Sequence, residues 1–466
     1  MNSPLEHNMQ DMNRRDFVKT TAALVGAAAL PAISSSALAN PTAGASELRI
    51  LQVGAGGIAG MDRGRLLKHK KVKFTGFIDV DANTRKKIGG QFPDAFVEPD
   101  YRVAFADHLD KFDAVNVCTP DHTHIAPMML ALANDKHVYG QKPLVQQLEE
   151  LVMLDDAIKA KPHLATQTGN QRMNNAGRRI ATYILEKNML GQAIEAWVWT
   201  GTRQGTHTGE DLPGEATPPG HLDWDLWLGP AAKQPYRNGI APGKWRRWWD
   251  FGTGGCGDWG VHLLDIIMYA YPELISPVAV QNNCPRKPDF LHATYCQSTL
   301  TYEVDSPRFK RGIFPIHYND LGITPSLRAI GIDKPDGKVD KNSTSVVCEG
   351  GTLLLSAGGS LEIFVKGKKI DPKELGEIPD PGPADHWHSW VDQALGVKDH
   401  LKVWTPWDVG IRITEGAILP GKAAMFPGKE LLWDRKKLEF TNSQEATDKV
   451  VRRQYRDGFA PPRVKA

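Results

Sequence analysis

The chain has 466 residues, with 56 Lys plus Arg against 54 Asp plus Glu. That length exceeds one ordinary hydrophobic core and predicts two globular domains. The near-neutral balance excludes the electrostatic footprint of a nucleic-acid binder or of a protein held to an anionic membrane. No low-complexity run or internal repeat points to disorder or a solenoid.

Residues 13–19 read Asn13-Arg14-Arg15-Asp16-Phe17-Val18-Lys19, a twin-arginine pair followed by an apolar residue and a lysine. An Ala-rich stretch from Thr20 to Leu30 follows, and Ala37-Leu38-Ala39 supplies the small residues of a cleavage site. The stretch is shorter than the roughly 20 apolar residues a membrane span needs. Residues 1–39 are therefore expected to be a twin-arginine signal peptide, with an uncleaved anchor or a disordered tail as the alternative. The mature protein is expected in the periplasm or otherwise exported, with no stable membrane span after cleavage.

After a linker at 40–46 the chain alternates between strand and helix. Leu48–Val53 is a short apolar strand, a glycine-rich turn opens a helical stretch to His69, and Val72–Asp79 is a second strand. Ala114–Cys118 is a strand running into Thr119-Pro120, Ile125–Asn134 is helical, and His137–Tyr139 is another strand. Units of this length predict a parallel sheet covered on both faces, over 40–167. Beyond it the composition shifts, and residues 197–259 hold eight of the 13 tryptophans. Strand-like stretches at 346–355 and 360–365 and helical ones at 386–395 and 409–425 predict a second α+β domain over 168–430. Its loops are expected to roof the first domain. Residues 431–466 read as a polar tail. Five cysteines (Cys118, Cys256, Cys284, Cys296, Cys348) form no C-x-x-C pair, and their odd number leaves one unpaired, so neither a disulfide scaffold nor a zinc site is expected.

The turn Gly54-Ala55-Gly56-Gly57-Ile58-Ala59 fits G-x-G-x-x-G/A between a strand and a helix. The first glycine makes the turn, the second admits a pyrophosphate, and the helix N-terminus faces the phosphates. Asp79 closes the second strand 25 residues after Gly54, where a carboxylate accepts the ribose hydroxyls and repels a 2′-phosphate. NAD is the expected cofactor, and Arg85 and Lys86 keep NADP open. The plain alternative is a tight βα turn with no ligand.

Asp258 and His262 are spaced i, i+4, and Asp265 lies three further, so a regular helix would place all three on one stripe amid apolar Leu263, Leu264, Ile266 and Ile267. Such a stripe needs buried partners or a cavity. Asp258 also reads as a helix cap, His262 as a satisfied core histidine and Lys142 as a solvated lysine. A metal at the stripe would need further ligands that the sequence does not offer, so none is expected. Trp245-Arg246-Arg247-Trp248-Trp249-Asp250 sets flat apolar faces beside charged groups, a surface suited to a sugar ring, or to ordinary packing.

Four segments together resemble the glucose-fructose oxidoreductase/inositol dehydrogenase/MocA family: the turn at 54–59, Thr119-Pro120-Asp121-His122-Thr123-His124, Gln141-Lys142-Pro143-Leu144 and Asp258-Trp259-Gly260-Val261-His262. The resemblance implies an α/β fold, with an N-terminal doubly wound Rossmann sheet and a C-terminal α/β domain built on a large, mostly antiparallel sheet. It implies a homodimer or homotetramer. It implies that Gly54, Gly56, Gly57, Ile58, Asp79, Thr119, Pro120, His124, Gln141 and Gln171 hold the cofactor. Lys142, Asp258 and His262 would carry catalysis and Arg172 would meet the substrate, joined, on the aromatic and charge pattern above, by Trp245 and Arg246. Gln141 departs from the family's Glu-Lys-Pro motif. The activity implied is hydride transfer between a sugar or polyol hydroxyl and a nicotinamide, and export of the folded protein, with free NAD scarce outside the cytoplasm, leads to the expectation that the nicotinamide is tightly bound. His262 would be the base, oriented by Asp258, and Lys142 would polarise the oxygen. A redox-neutral NAD-dependent glycosidase and a non-catalytic cofactor-loaded binding protein are the alternatives.

Overall fold

The computed structural model describes residues 39–201, 212–283, 296–320, 322–334, 337–397 and 403–464. The segment read as an export signal, all but its last residue, and Cys284 lie outside the described residues. Among the described residues no helix is long and apolar enough to cross a membrane.

The first sheet is parallel and consists of β1 (Leu48–Val53), β2 (Val72–Ile78), β3 (Phe96–Glu98), β4 (Ala114–Val117), β5 (His137–Gly140) and β6 (Thr166–Thr168), in the order β3-β2-β1-β4-β5-β6. Its central strands β1, β4 and β5 are buried almost throughout, as strands covered on both faces must be. Strand order reverses between β1 and β4, and it is at such a switch point, beyond the strand C-termini, that α/β sheets bind ligands.

The second sheet has ten strands in the order β14-β13-β12-β11-β7-β10-β9-β8-β15-β16. They are β7 (Ala193–Thr200), β8 (Ala279–Asn282), β9 (Gln297–Glu303), β10 (Ile313–Asn319), β11 (Asn342–Cys348), β12 (Gly351–Ser356), β13 (Leu361–Val365), β14 (Lys368–Ile370), β15 (Glu430–Asp434) and β16 (Glu439–Phe440). All pairings are antiparallel except that of β7 with β10. In β9, Ser298, Leu300 and Tyr302 point inward while their neighbours are half-exposed, the period-2 pattern of a sheet covered on one face. The helices Ala176–Glu186, Val261–Ala270 and Trp407–Ala423 supply that cover.

Two expectations change. The stretch 346–355 is a hairpin, β11 and β12 turning at Glu349-Gly350, because Gly350 lets the turn press on the Leu190 carbonyl, which a Cβ would meet at 2.9 Å. Residues 431–464 form no loose tail. Leu431 and Trp433 are buried where β15 pairs with β8, an alternation too short to register in the sequence. The chain then crosses back over the first domain. Arg453 pairs with Glu150 at 3.1 Å, Arg456 with Asp225 at 2.7 Å, and Arg102 donates to the Gly458 carbonyl at 2.9 Å.

The Trp-rich stretch does roof the first sheet. Trp224, Trp227, Tyr236, Trp248 and Phe251 pack together. Backbone bonds from Asp223 to Val80 (3.1 Å) and from Ala82 to His221 (2.7 Å) pin the stretch to the end of β2, with His221 Nδ1 2.9 Å from Asp81 Oδ2.

Candidate active site

The glycine turn is open where a phosphate would approach and tight where the chain must fold back. Gly54 sits at φ +83°, and a Cβ there would lie 2.9 Å from the Cys118 backbone. Gly56 and Gly57 are exposed and face open space, and Ile58 is 40% exposed. The helix that follows, Ala59–Leu66, has no side-chain cap; the amides of Ala59, Gly60 and Met61 donate to the Gly56, Gly57 and Ile58 carbonyls, and its positive end faces the turn where an anion would sit. Asp79 accepts from Ala55 N (2.9 Å) and Asp81 N (2.9 Å), which fixes its carboxylate beside the turn with lone pairs to spare for hydroxyls. Burial pushes the Asp79 carboxyl up, and these amide bonds oppose the shift. Arg85 donates to the Asp79 carbonyl at 2.7 Å. Open glycines, an uncapped helix start and a carboxylate at the end of β2 together fit a dinucleotide.

The neighbouring segments anchor rather than expose their polar groups. Both ring nitrogens of His124 are taken by carbonyls, those of Pro143 (2.8 Å) and Thr119 (2.7 Å), so the ring ties the Thr119-Pro120 turn to the loop after Lys142. Thr119 Oγ1 and Gln171 Oε1 are buried with no partner among the described residues. Gln141 Nε2 donates to Asp62 Oδ2 at 2.7 Å, and Asp62 Oδ1 accepts from Trp387 Nε1 at 2.9 Å. Burial pushes the Asp62 carboxyl up, and a glutamate at 141 would set a second carboxylate against it. The departure at Gln141 thus has a local cause. Asp62, unremarkable in the sequence, is the residue that reading missed, since nothing in the helix 59–66 signals a partner 79 positions away.

Lys142 and Asp258 meet across the two domains. Lys142 Nζ donates to Asp258 Oδ1 at 2.7 Å and to its carbonyl at 2.8 Å. Arg246 approaches the same carboxylate at 3.5 Å and Asp121 at 3.7 Å. Burial alone would raise the Asp258 carboxyl, but Lys142 and Arg246 outweigh it and hold the group below the usual carboxylate range. Gly252 allows the turn Trp245–Arg247 to lie against it, since a Cβ would sit 2.3 Å from Arg246 Cα. Arg246 stacks over Trp245 at 4.2 Å, while Trp248 and Trp249 are buried packing.

The expected stripe of Asp258, His262 and Asp265 is broken. Residues Cys256–Gly260 form a π-turn ahead of the helix Val261–Ala270, and the extra residue rotates Asp258 away from the face its spacing implied. Asp258 serves Lys142, and no hydrogen bond joins it to His262. Asp265 turns to Arg178, and both of their side chains are fully buried. His262 is 5% exposed, and its Nδ1 is buried with no partner among the described residues. Burial, followed by the positive charges of Lys142, Arg172 and Arg178, holds this imidazole well below 6.5 and keeps it neutral. Arg172 lies over the ring of Trp259 at 5.0 Å. The metal-ligating side chains that do converge among the described residues are Cys256, Cys296 and Asp320, within 4.8 Å of one another, and none of them is a member of this stripe.

Comparison with known proteins agrees with this geometry. Residues 48–168 match the model of an oxidoreductase family with an NAD-binding Rossmann fold, and residues 183–308 match the same family's C-terminal alpha/beta domain, together more than half of the chain. The chain belongs to the Gfo/Idh/MocA oxidoreductase family. Residues 11–31 match a twin-arginine translocation signal, so this family member is exported by that pathway. No curated protein sequence matches. Among solved structures, the chain resembles the WlbA dehydrogenase from Chromobacterium violaceum in complex with NADH and UDP-GlcNAcA, with 16% identity, 84% of this chain and 98% of that chain covered, and a TM-score of 0.56. It resembles aldose-aldose oxidoreductase from Caulobacter crescentus complexed with glycerol, with 15% identity, 83% and 100% covered, and a TM-score of 0.54. An NAD-binding protein from Listeria innocua is similar at 18% identity, 83% and 97% covered, with a TM-score of 0.52. At these identities the likeness shows the fold.

Proposed function

We propose that the protein is an NAD-dependent dehydrogenase acting on a hydroxyl of a sugar or polyol, with its nucleotide held tightly and recycled in place. The observation that carries this reading is Lys142 paired with Asp258 near a neutral His262 whose Nδ1 has no partner among the described residues, in a chain whose glycine turn is open to a dinucleotide. Gly54, Gly56, Gly57 and Ile58 would cradle the pyrophosphate and Asp79 the adenosine ribose, with Thr119, Pro120 and Gln171 toward the nicotinamide. When bound, NAD supplies the hydride acceptor.

Asp258 fixes the Lys142 ammonium, which then stabilises negative charge growing on the substrate oxygen. His262 takes the hydroxyl proton. Because its surroundings disfavour the imidazolium, the ring is a weak base that takes the proton only as Lys142 stabilises the developing alkoxide, and once protonated it is a strong donor that returns the proton to a second carbonyl compound. This suits a cycle of oxidation followed by reduction. The stacked pair Trp245 and Arg246 offers a sugar both an apolar face and a polar edge. The complexes of WlbA with NADH and a nucleotide sugar and of aldose-aldose oxidoreductase with glycerol are consistent with such a ligand. Export of a folded, preloaded protein to the periplasm fits a retained cofactor. We further propose that copies associate as a dimer or tetramer through the outer face of the ten-stranded sheet.

Incubating the purified protein with a panel of sugars and glycosides tests the reading. Net oxidation of a free sugar, coupled to reduction of a second carbonyl compound, is the expected result. Glycosides cleaved without net oxidation would replace the reading with a redox-neutral glycosidase, and no turnover with a binding protein.

A further inference from the structure

A group of ligand-bearing side chains outside the reaction centre meets in the core of the second domain. Cys256 opens the π-turn that carries Asp258, Cys296 stands just before β9, and Asp320 just after β10. The antiparallel pairing of Gln297 with Asn319 sets the last two opposite each other, and the Asp320 amide donates to the Cys296 carbonyl at 2.9 Å. The π-turn lies against β7, the neighbour of β10, and brings Cys256 to the same point. Two sulfurs and a carboxylate oxygen thus lie within 4.8 Å of one another, on residues each 1% exposed. The sequence hides this group because its members come from separate elements rather than from one C-x-x-C loop.

The Asp320 carboxylate is oriented as that of a metal ligand is, by outer hydrogen bonds. Its Oδ1 accepts from the Tyr318 hydroxyl at 3.0 Å and its Oδ2 from the Cys296 amide at 3.2 Å. No cation lies within ion-pairing reach of it among the described residues. Burial pushes the Asp320 carboxyl up to about 7 and raises the Cys256 thiol above its ordinary value. Acidic groups therefore share a dry site that supplies no positive charge, and a cation would remove that cost. Zn–S bonds of about 2.3 Å and Zn–O bonds of about 2.0 Å set tetrahedral ligand atoms about 3.5–3.8 Å apart, so the cluster need close by only roughly 1 Å. A disulfide is the other fate of neighbouring thiols, and it leaves Asp320 without a role. The twin-arginine route takes a folded chain, so both sulfurs are shut from solvent in a reducing cytoplasm before they meet an oxidising compartment. A metal bound as the chain folds needs no later entry path.

We infer that Cys256, Cys296 and Asp320 are ligands of a structural zinc ion loaded before export, with the Tyr318 hydroxyl as the fourth donor. The ion ties the start of the π-turn to the ends of β9 and β10, and it is independent of the dehydrogenase reading. The test uses the exported protein, purified without chelator or metal-affinity resin. Its metal content is measured by mass spectrometry, and its cysteines are alkylated after denaturation. About one zinc per chain is expected, with Cys256 and Cys296 both alkylated as thiols once the metal is released. Protein produced with cobalt(II) in place of zinc should show the near-ultraviolet thiolate-to-cobalt absorption, which a surface ion held by carboxylates and imidazoles lacks. Asp320→Asn and Cys256→Ser should each lower the zinc retained after dialysis by about tenfold or more. Cys348→Ser, at a buried cysteine outside the cluster, should retain it. A wild type with no metal and both thiols reduced would overturn the inference, as would a Cys256–Cys296 disulfide or a cobalt protein without that absorption. Zinc surviving both cluster substitutions would also overturn it, by marking an ion bound elsewhere. Should those variants fail to fold, the metal content and cobalt spectrum of the wild type still decide.

Discussion

The nucleotide cradle and the reaction centre are built from opposite materials. The cradle is backbone: exposed glycines, a helix N-terminus and one carboxylate, all within a single strand–turn–helix–strand unit. The centre is made of side chains. Lys142, Asp258, Arg246 and His262 arrive from separate elements, and each is partly or wholly removed from water. The cradle therefore needs no charge balance to persist, whereas every member of the centre is held by, or acts on, another charge.

Substitutions separate the two, and they also separate structure from chemistry within the centre. Asp265→Ala should have the largest effect on stability, about 3–5 kcal/mol, because it strands the fully buried Arg178. Thermal and urea unfolding read this directly, and a shift below about 1 kcal/mol would return Asp265 to the reactive stripe. Lys142→Ala and His262→Ala should each cut turnover by about a hundredfold or more. The His262 variant should keep its melting temperature, since its Nδ1 meets no partner among the described residues. Loss of folding there would restore the core-histidine reading.

Asp79→Ala acts on the cradle, and its effect should be smaller. NAD binding should weaken by about tenfold, the scale of its hydroxyl contacts, and the advantage over NADP should narrow. Equilibrium titration with both nucleotides measures it, and a wild type that already prefers NADP would contradict the role of Asp79. The smallest expected effect is a flat profile. His262 acts in its neutral form, and its folded pKa lies well below 6.5, so kcat/KM should show no acid limb near 6.5. A limb centred there would mean that the ring is solvated.

The same contrast governs what the sequence disclosed. Gly54 to Ala59 and Asp79 are legible because their function needs only neighbours within one βαβ unit. Lys142 and Asp258 stood out as residues, but not as partners. Their contact spans 116 positions and depends on a π-turn that the i, i+4 spacing conceals. Asp62 was invisible for the same reason, as were β15 and the arginines that carry the C-terminal segment over the first domain. The ten-stranded sheet gave little signal because its strands are short and covered on one face, and its pairings are set by contacts distant in the chain.

The most direct test of the account is made on protein purified without added nucleotide. The wild type and His262→Ala are each denatured for nucleotide assay, and each is mixed intact with a substrate found in the sugar panel while the absorbance of reduced nicotinamide is followed. The account predicts near-stoichiometric NAD(H) in both proteins, with rapid reduction in the wild type alone. An empty wild type that turns over only with added NAD, or a variant that reduces its nucleotide as fast as the wild type, would contradict it.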